Sequence, residues 1–283
     1  MVHFQGPHQK QEMLSYISSC SNPIVITDNH LACDIPNDFD VVIVNHGVAH
    51  THAEREPDWD AYWKNLCCSG QQQMLFHRDP NRTKIVSISK FCTDEFTRYF
   101  RQYYTRFERC DILHASELDE SRSKESWNET PTVLGNWSTE NKGALIVRQL
   151  AAFSNFNFKT LNVSPIDGDI KDFNKRKQDI YLDSDIFLQL SLCEGNSYAT
   201  LDALLCGVPI VASNVGLFYK DVPEDCFVKV HWKYNHNIEH VKDKLQEAWE
   251  NRETLSKNSR DWYLQNCNFS DWVSKTRNFI GEN

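Results

Sequence analysis

Two carboxylates eight residues apart, Glu194 and Asp202, are of the type and spacing to hold one polyhydroxylated ligand. The spacing is slightly over two helical turns, so both side chains can fall on one side of the unit that carries them and reach a single ligand. The plainer alternative puts Glu194 in a solvated loop and Asp202 on a polar helix face. The apolar residues around Asp202 weaken that alternative. Lys142 adds a cation at a helix start, a slightly unfavourable place against the helix dipole that a bound anion would explain. Standing alone, it would read as an ordinary surface lysine. A separate cluster, Asn45-His46-Gly47-Val48-Ala49-His50-Thr51-His52, offers three imidazoles. Their spacing suggests zinc, but no carboxylate partner is defined and the glycine favours a loop.

The elements that must position these groups are legible around the acids. Ile186 to Leu192 is an apolar run of buried-strand length, broken by Gly195 and Asn196 directly after Glu194. Ser197 can cap a helix over Tyr198 to Cys206, with Ala199, Leu201, Leu204 and Leu205 on its packing side and Gly207 and Pro209 as its stop. Ile210, Val211 and Ala212 begin another strand. This βαβ unit places Glu194 at the carboxyl end of a strand, where open α/β sheets bind ligands, beside the amides of a helix start.

The run Ser191 to Gly216 resembles the nucleotide-sugar-binding signature of GT-B glycosyltransferases of the family-four retaining type, the glycosyl transferases group 1. That signature has a Glu, seven residues and a second Glu, then a small residue and Gly-x-Pro-Val; here the second acid is Asp202. The resemblance implies donor-sugar contact for Glu194 and ribose contact for Asp202. Where the family has an aromatic and a glycine, this chain has Asn196 and Ser197. Upstream, Thr132 to Leu150 resembles the family's strand, loop and Lys-Gly helix opening, which implies that Lys142 grips the donor diphosphate. An Arg common in that loop is replaced by Asn136, Trp137 and Ser138, and Arg148 lies too far along the helix to substitute. By the same resemblance the donor side comprises Gly135, Asn136, Lys142, Glu194, Gly195, Asn196, Ser197, Tyr198 and Asp202. The segment from Val163 to Tyr181 is expected to contact the base.

The resemblance further implies an α/β, GT-B-like fold: two Rossmann-like domains facing across a cleft, the first one reduced. Residues 1–128 would form the acceptor-side domain and residues 129–283 the nucleotide-sugar-binding domain. Its last helix, Phe269 to Phe279 with Ser270 as cap, would cross back to the first. His46 and Gly47 form a His-Gly turn that in the family lies near donor sugar and acceptor, with Asp28 and His30 as further acceptor-side candidates. Glu194, Lys142 and His46 are the expected catalytic residues. The implied reaction moves a sugar from a nucleoside diphosphate to a glycan or other hydroxyl acceptor. Configuration is retained, the leaving phosphate takes the acceptor proton, and neither a metal nor another cofactor is expected. An inverting enzyme would instead need a base, His46 or Asp28.

In the first half, strands are expected at Ile24 to Thr27, Val41 to Asn45, Lys84 to Ser89 and Asp111 to Ala115, with helical stretches at Trp59 to Cys67 and Thr93 to Tyr104. Glu117 to Pro131 is charged and lacks apolar periodicity, as a domain boundary would. Val241 to Ser256 reads as one amphipathic helix. A net charge of −9 argues against affinity based on neutralising a nucleic-acid backbone. The basic cluster Lys171, Lys175, Arg176 and Lys177 reads as a solvated loop or a contact for an anionic acceptor or membrane surface. No apolar run reaches transmembrane length, MVHFQGPHQKQ lacks a signal-peptide core, and a cytoplasmic location is expected. Ten cysteines without a Cys-x-x-Cys read as reduced thiols, Cys193 and Cys206 as core filler. The Asn-x-Ser/Thr matches at Asn81, Asn128, Asn136, Asn162 and Asn268 mean little without secretion. Two other functions fit the residues: a GT-A-type transferase holding metal at Asp183-Ser184-Asp185 or Asp167-Gly168-Asp169, and a non-catalytic sugar-nucleotide or glycan-binding module.

Overall fold

Short runs of β-branched and aromatic residues, each bounded by polar turns, pair into two sheets in this computed structural model, which describes residues 14–21, 23–161 and 170–281. The first sheet contains β1 (Ile24–Asp28), β2 (Asp40–Asn45), β3 (Thr83–Ser87) and β4 (Glu108–Asp111) in that spatial order, all parallel. The second contains β5 (Thr132–Gly135), β6 (Asn157–Thr160), β7 (Ile186–Gln189), β8 (Ile210–Ser213) and β9 (Val228–Val230), also parallel, in the order β6-β5-β7-β8-β9. Residues of β5, β7 and β8 are buried throughout, because helices cover both faces of a parallel sheet.

Helices α1 (Ala49–Arg55), α2 (Ala61–His77) and α3 (Lys90–Tyr104) belong to the first sheet. Asp60 caps α2 by accepting from the amides of Tyr62 and Trp63. Ile43 and Ile85 pack with Met74, Leu75, Phe96 and Tyr104 in the core beneath. Helices α4 (Ala144–Phe153), α5 (Ile170–Leu182), α6 (Tyr198–Cys206), α7 (Leu217–Lys220), α8 (Ile238–Glu250) and α9 (Arg252–Asn266) surround the second sheet. α10 (Phe269–Ile280) leaves that sheet and packs Trp272, Phe279 and Ile280 on Val42, Val86 and Ile112 of the first.

Three local expectations change. The fourth strand lies at Glu108–Asp111 instead of Asp111 to Ala115, because β4 is an edge strand whose charged residues face water and show no apolar alternation. The helix expected over Val241 to Ser256 is two helices. Asn251 ends α8, its amide bonding the Glu247 carbonyl, and α9 starts at the next residue. Asn268 instead of Ser270 caps α10, accepting from the Asp271 amide at 2.9 Å.

The charged stretch before β5 is tied down. Lys124 and Asp185 form an ion pair at 3.0 Å with side-chain exposures of 2 % and 0 %. Lys124 also donates to the Leu182 carbonyl, and Asp185 accepts from the amides of Asn128 and Thr132. Asp185 therefore anchors the entry to the second sheet, which removes it from the metal-binding triplet reading of Asp183-Ser184-Asp185. Asp167-Gly168-Asp169 and residues 163–169 of the expected base-contacting segment lie outside the described residues. All ten cysteines are free thiols. Burial pushes those of Cys193 and Cys206 up to about 12; Cys206 lies in the core as expected, whereas Cys193 is half-buried beside Glu194 and outside it. Among the described residues no helix is long and apolar enough to cross a membrane.

Removing one member of a buried ion pair leaves the other uncompensated. Lys124→Ala should lower the unfolding free energy by about 3 kcal/mol in urea titrations, with little change for exposed Lys257→Ala.

Candidate functional site

Strand order makes the crevice. The chain runs from β5 outward to β6 and then returns to the other side of β5 for β7, so the order reverses between β5 and β7. At such a reversal the connections after the two strands splay apart and leave a crevice at their carboxyl ends. Asn136 and Lys142, which follow β5, and Ser191, Glu194 and Ser197, which follow β7, line this one crevice. Gly143 permits the placement of Lys142. Its φ of +89° ends the turn Glu140–Lys142 and starts α4, and a Cβ there would press on Leu190.

Burial raises the Glu194 carboxyl above its ordinary range; the charge of Lys142, a hydrogen bond from Ser191 and the charge of His52 oppose the rise. The Ser191 hydroxyl donates to Glu194 Oε2 at 3.2 Å. Buried Asn235 donates to the carbonyls of Leu190 at 2.8 Å and Ser191 at 3.3 Å, which fixes the loop carrying the acid. Ser197 occupies the N-cap position of α6 but, contrary to expectation, its side chain makes no cap bond; its carbonyl accepts from the Thr200 amide at 3.0 Å.

The turn after Glu194 is seated on the first sheet's domain. A Cβ on Gly195 would collide with the His46 carbonyl oxygen, so only glycine fits this approach. The Ser89 hydroxyl donates to the Gly195 carbonyl at 2.7 Å, and Asn196 Nδ2 donates to the Ile88 carbonyl at 3.3 Å. Arg55 adds a bond from Nη1 to the Leu192 carbonyl at 3.0 Å while its guanidinium lies 4.5 Å from the Trp232 ring centroid. The contacts of Gly195 and Asn196 are thus with the first domain, and Ser197 is the residue of this turn that reaches the crevice.

Other expected site residues divide. Asp202 is 3 % exposed; its Oδ1 accepts from Ser116 Oγ at 2.6 Å and its Oδ2 pairs with Lys177 at 3.0 Å. A ribose would reach it only by displacing Lys177. Gly135 is covered by the Trp137 indole, whose Nε1 donates to the Leu188 carbonyl, so its lack of a side chain makes room for tryptophan. His46 Nε2 pairs with Asp28 at 2.7 Å, both side chains nearly half exposed. The Gly47 carbonyl accepts from Asn29 and Gln71. His30 instead packs against Gly70 of α2. The three histidines that suggested zinc diverge: His46 faces Asp28, His50 packs on Tyr99 and Phe100, and His52 bonds Glu56.

The structure adds residues that sequence reasoning missed. His114 lies in a row of stacked rings, 5.8 Å from His46 and 5.1 Å from Tyr198, and its Nε2 is buried without a partner. Burial and the neighbouring His46 bring its pKa down to about 4. Nothing in its local pattern sets it apart; it falls in the segment expected to be strand. Asn235 was equally unmarked, whereas His52 was marked only as a member of the histidine cluster. A hollow of about 420 Å³ lies between α5 and the segment before β5, with Arg122, Lys171, Asn174, Lys175 and Gln178 in its wall.

Residues 170–262 match the family model described as glycosyl transferases group 1, a span that includes both acids. No curated protein matches the chain. Among solved structures, sucrose-phosphate synthase from Thermosynechococcus elongatus superposes with a TM-score of 0.74 at 13 % identity, covering 96 % of this chain and 76 % of the other. WaaG, a glycosyltransferase involved in lipopolysaccharide biosynthesis, gives 0.66 at 13 %, covering 97 % and 81 %. Anabaena HepE, solved in complex with UDP and glucose, gives 0.68 at 11 %, covering 98 % and 82 %. The two parallel sheets are those of the GT-B fold.

Two outcomes check this geometry. Gly195→Ala should cost about 2 kcal/mol or more in denaturant titrations, since the colliding groups are backbone. His114 is neutral when buried, so its contribution is complete above pH 6.5 and is lost as pH falls toward 4, up to about 3 kcal/mol. His114→Gln should flatten the stability profile over that window relative to the parent chain.

Proposed function

We propose that this chain, which carries a glycosyl transferases group 1 domain on a GT-B fold, moves a sugar from a nucleoside diphosphate to a hydroxyl of a glycan or other acceptor. The observation that carries the reading is the shared crevice of Lys142 and Glu194 where the strand order reverses. As the glycosidic bond breaks, negative charge grows on the leaving diphosphate and positive charge at the anomeric carbon. Lys142 and the uncapped start of α6 are suited to the first charge, the Glu194 carboxylate to the second. This assignment gives the diphosphate its positive partner from the protein itself, and we infer transfer without a divalent metal or other cofactor.

Retention of configuration belongs to the same proposal, by resemblance, with the leaving phosphate taking the acceptor proton. His46 with Asp28 then sits on the acceptor side, where the exposed Tyr198 ring adds an apolar face. Residues of α5 beside the hollow are suited to the nucleoside, with Asp202 held in reserve under Lys177. HepE was solved with UDP and glucose, which makes uridine diphosphate sugars the first donors to try. Ten free thiols suit a reducing compartment, and we place the reaction in the cytoplasm. A second reading gives Lys142 and Glu194 the same ligand without transfer, as a nucleotide-sugar-binding module that does not turn over.

Thermal-shift screening against nucleoside diphosphates and their sugars tests the binding, because a ligand selective for the folded chain raises its melting temperature. Lys142→Ala should weaken diphosphate binding about tenfold or more. Glu194→Gln should leave that binding nearly unchanged while lowering donor hydrolysis or transfer about a hundredfold. Binding without turnover in the unaltered chain would select the module.

A further inference from the structure

Thiols from the two domains approach each other at the turn that carries Glu194. Cys193 directly precedes the acid, and Cys92 lies in the first turn of α3. A Cβ built on Gly195 would stand 3.3 Å from Cys92 Sγ, which puts that sulfur against the acid's own turn. Ser89 bridges the same two groups: its Oγ lies 3.5 Å from Cys92 Sγ, and its hydroxyl donates to the Gly195 carbonyl at 2.7 Å. Cys193 stands two residues before Gly195, a step that even extended chain covers in about 7 Å. The backbone bends at Leu192, Cys193 and Gly195, which shortens that step. A disulfide joins residues whose Cα atoms are about 5.5–6 Å apart, so the two sulfurs are within bonding reach after a small side-chain rotation.

The two sulfurs differ in access and in surroundings. Cys92 is fully buried, whereas Cys193 is partly exposed. Arg55, the last residue of α1, bonds the carbonyl of Leu192, the residue before Cys193. Burial raises the Cys193 thiol, the Arg55 charge opposes the rise, and the carboxylates of Glu194, Glu95 and Glu56 add to it. Arg55 is therefore the group that favours a thiolate at Cys193. A small oxidant reaches Cys193 first, and Cys92 is placed behind it to resolve the product. Neither sulfur takes part in the transfer chemistry above, and a reducing compartment keeps both as thiols at rest.

We propose that Cys193 and Cys92 are a peroxide-sensitive modification site, and that their reversible disulfide fastens the acid-bearing turn to the first domain. The Cys193 thiolate attacks one oxygen of hydrogen peroxide and the O–O bond breaks, which leaves a sulfenic acid and a hydroxide that takes up the thiol proton as water. The Cys92 sulfur then attacks the sulfenic sulfur. The S–S bond forms, the S–O bond breaks, and the departing hydroxide carries off the Cys92 proton as a second water. Two thiols lose two electrons and one peroxide gains them. The new bond adds a covalent tie to the contacts of Ser89, Asn196 and Arg55, so the domains cannot part at this turn until a thiol reductant attacks the disulfide. The site stands independently of the nucleotide-sugar reading.

The test treats the folded full chain with hydrogen peroxide, alkylates the remaining thiols and maps unreduced peptides by mass spectrometry. A peptide pair joining Cys92 to Cys193 is expected, and dithiothreitol should remove it. In Cys92→Ser, dimedone should instead trap a sulfenic acid at Cys193. The bridge closes a long loop across two domains, so the oxidised parent should melt about 5 °C or more above the reduced one. That shift should be absent from both Cys92→Ser and Cys193→Ser. If Cys92→Ser does not fold, the parent's peptide map and Cys193→Ser decide the question. A map without the Cys92–Cys193 pair, whether Cys193 stays unreacted, stops at its own oxides or leaves oxidation to exposed Cys20 and Cys33, would overturn the assignment. An equal melting shift in the two variants would show that the bridge does not hold the domains together, and would overturn its fastening role.

Discussion

The close approach of the turn after Glu194 to the end of β2 governs the rest of this structure. Backbone meets backbone there, at Gly195 and His46, and Ser89, Asn196 and Arg55 close the contact with hydrogen bonds in both directions. One consequence is that the acid belongs to the second sheet while the groups that locate its turn belong to the first. The crevice is thus formed within the second sheet and oriented from outside it. A loop alone would have to hold a partly desolvated carboxylate against its preference for water. Here the loop is clamped from both sides, by Asn235 below and the first domain above.

Charged residues do two different jobs in this molecule, and burial separates them. Lys124, Asp185, Asp202 and Lys177 pair among themselves in low-accessibility positions and fasten the connecting segment to α5, α6 and β7. Lys142 and Glu194 stand in a crevice instead. The distinction explains why Asp202, although eight residues from Glu194, is engaged differently: Ser116 and Lys177 come from sequence-distant elements that converge on it.

Much of this was legible in the sequence where a signal was local. The strand, acidic turn, helix and glycine stop around Glu194 appear at β7, α6 and β8, because apolar runs and Gly-Pro punctuation act within a few residues. Lys142 was marked by an unfavourable helix-start charge. Edge strand β4 was misplaced because its exposed charges carry no period, and the α8–α9 break was missed because Asn251 is an unremarkable residue within a continuous polar pattern. The partners of Asp202, the seating of Gly195 and the stacking of His52 on Trp59 depend on tertiary approach or on a turn geometry that spacing does not encode.

The route of α10 bears on how the molecule comes into being. Trp272, Phe279 and Ile280 cover Val42, Val86 and Ile112, and Lys84 donates to the Phe279 carbonyl. Domains ordinarily mature one after another during synthesis, the amino-terminal one first. In this chain the earliest strands keep an apolar face bare until residues 269–280 have left the ribosome. The sheet made first is therefore finished last, and nascent chains arrested before that point expose a sticky surface to chaperones.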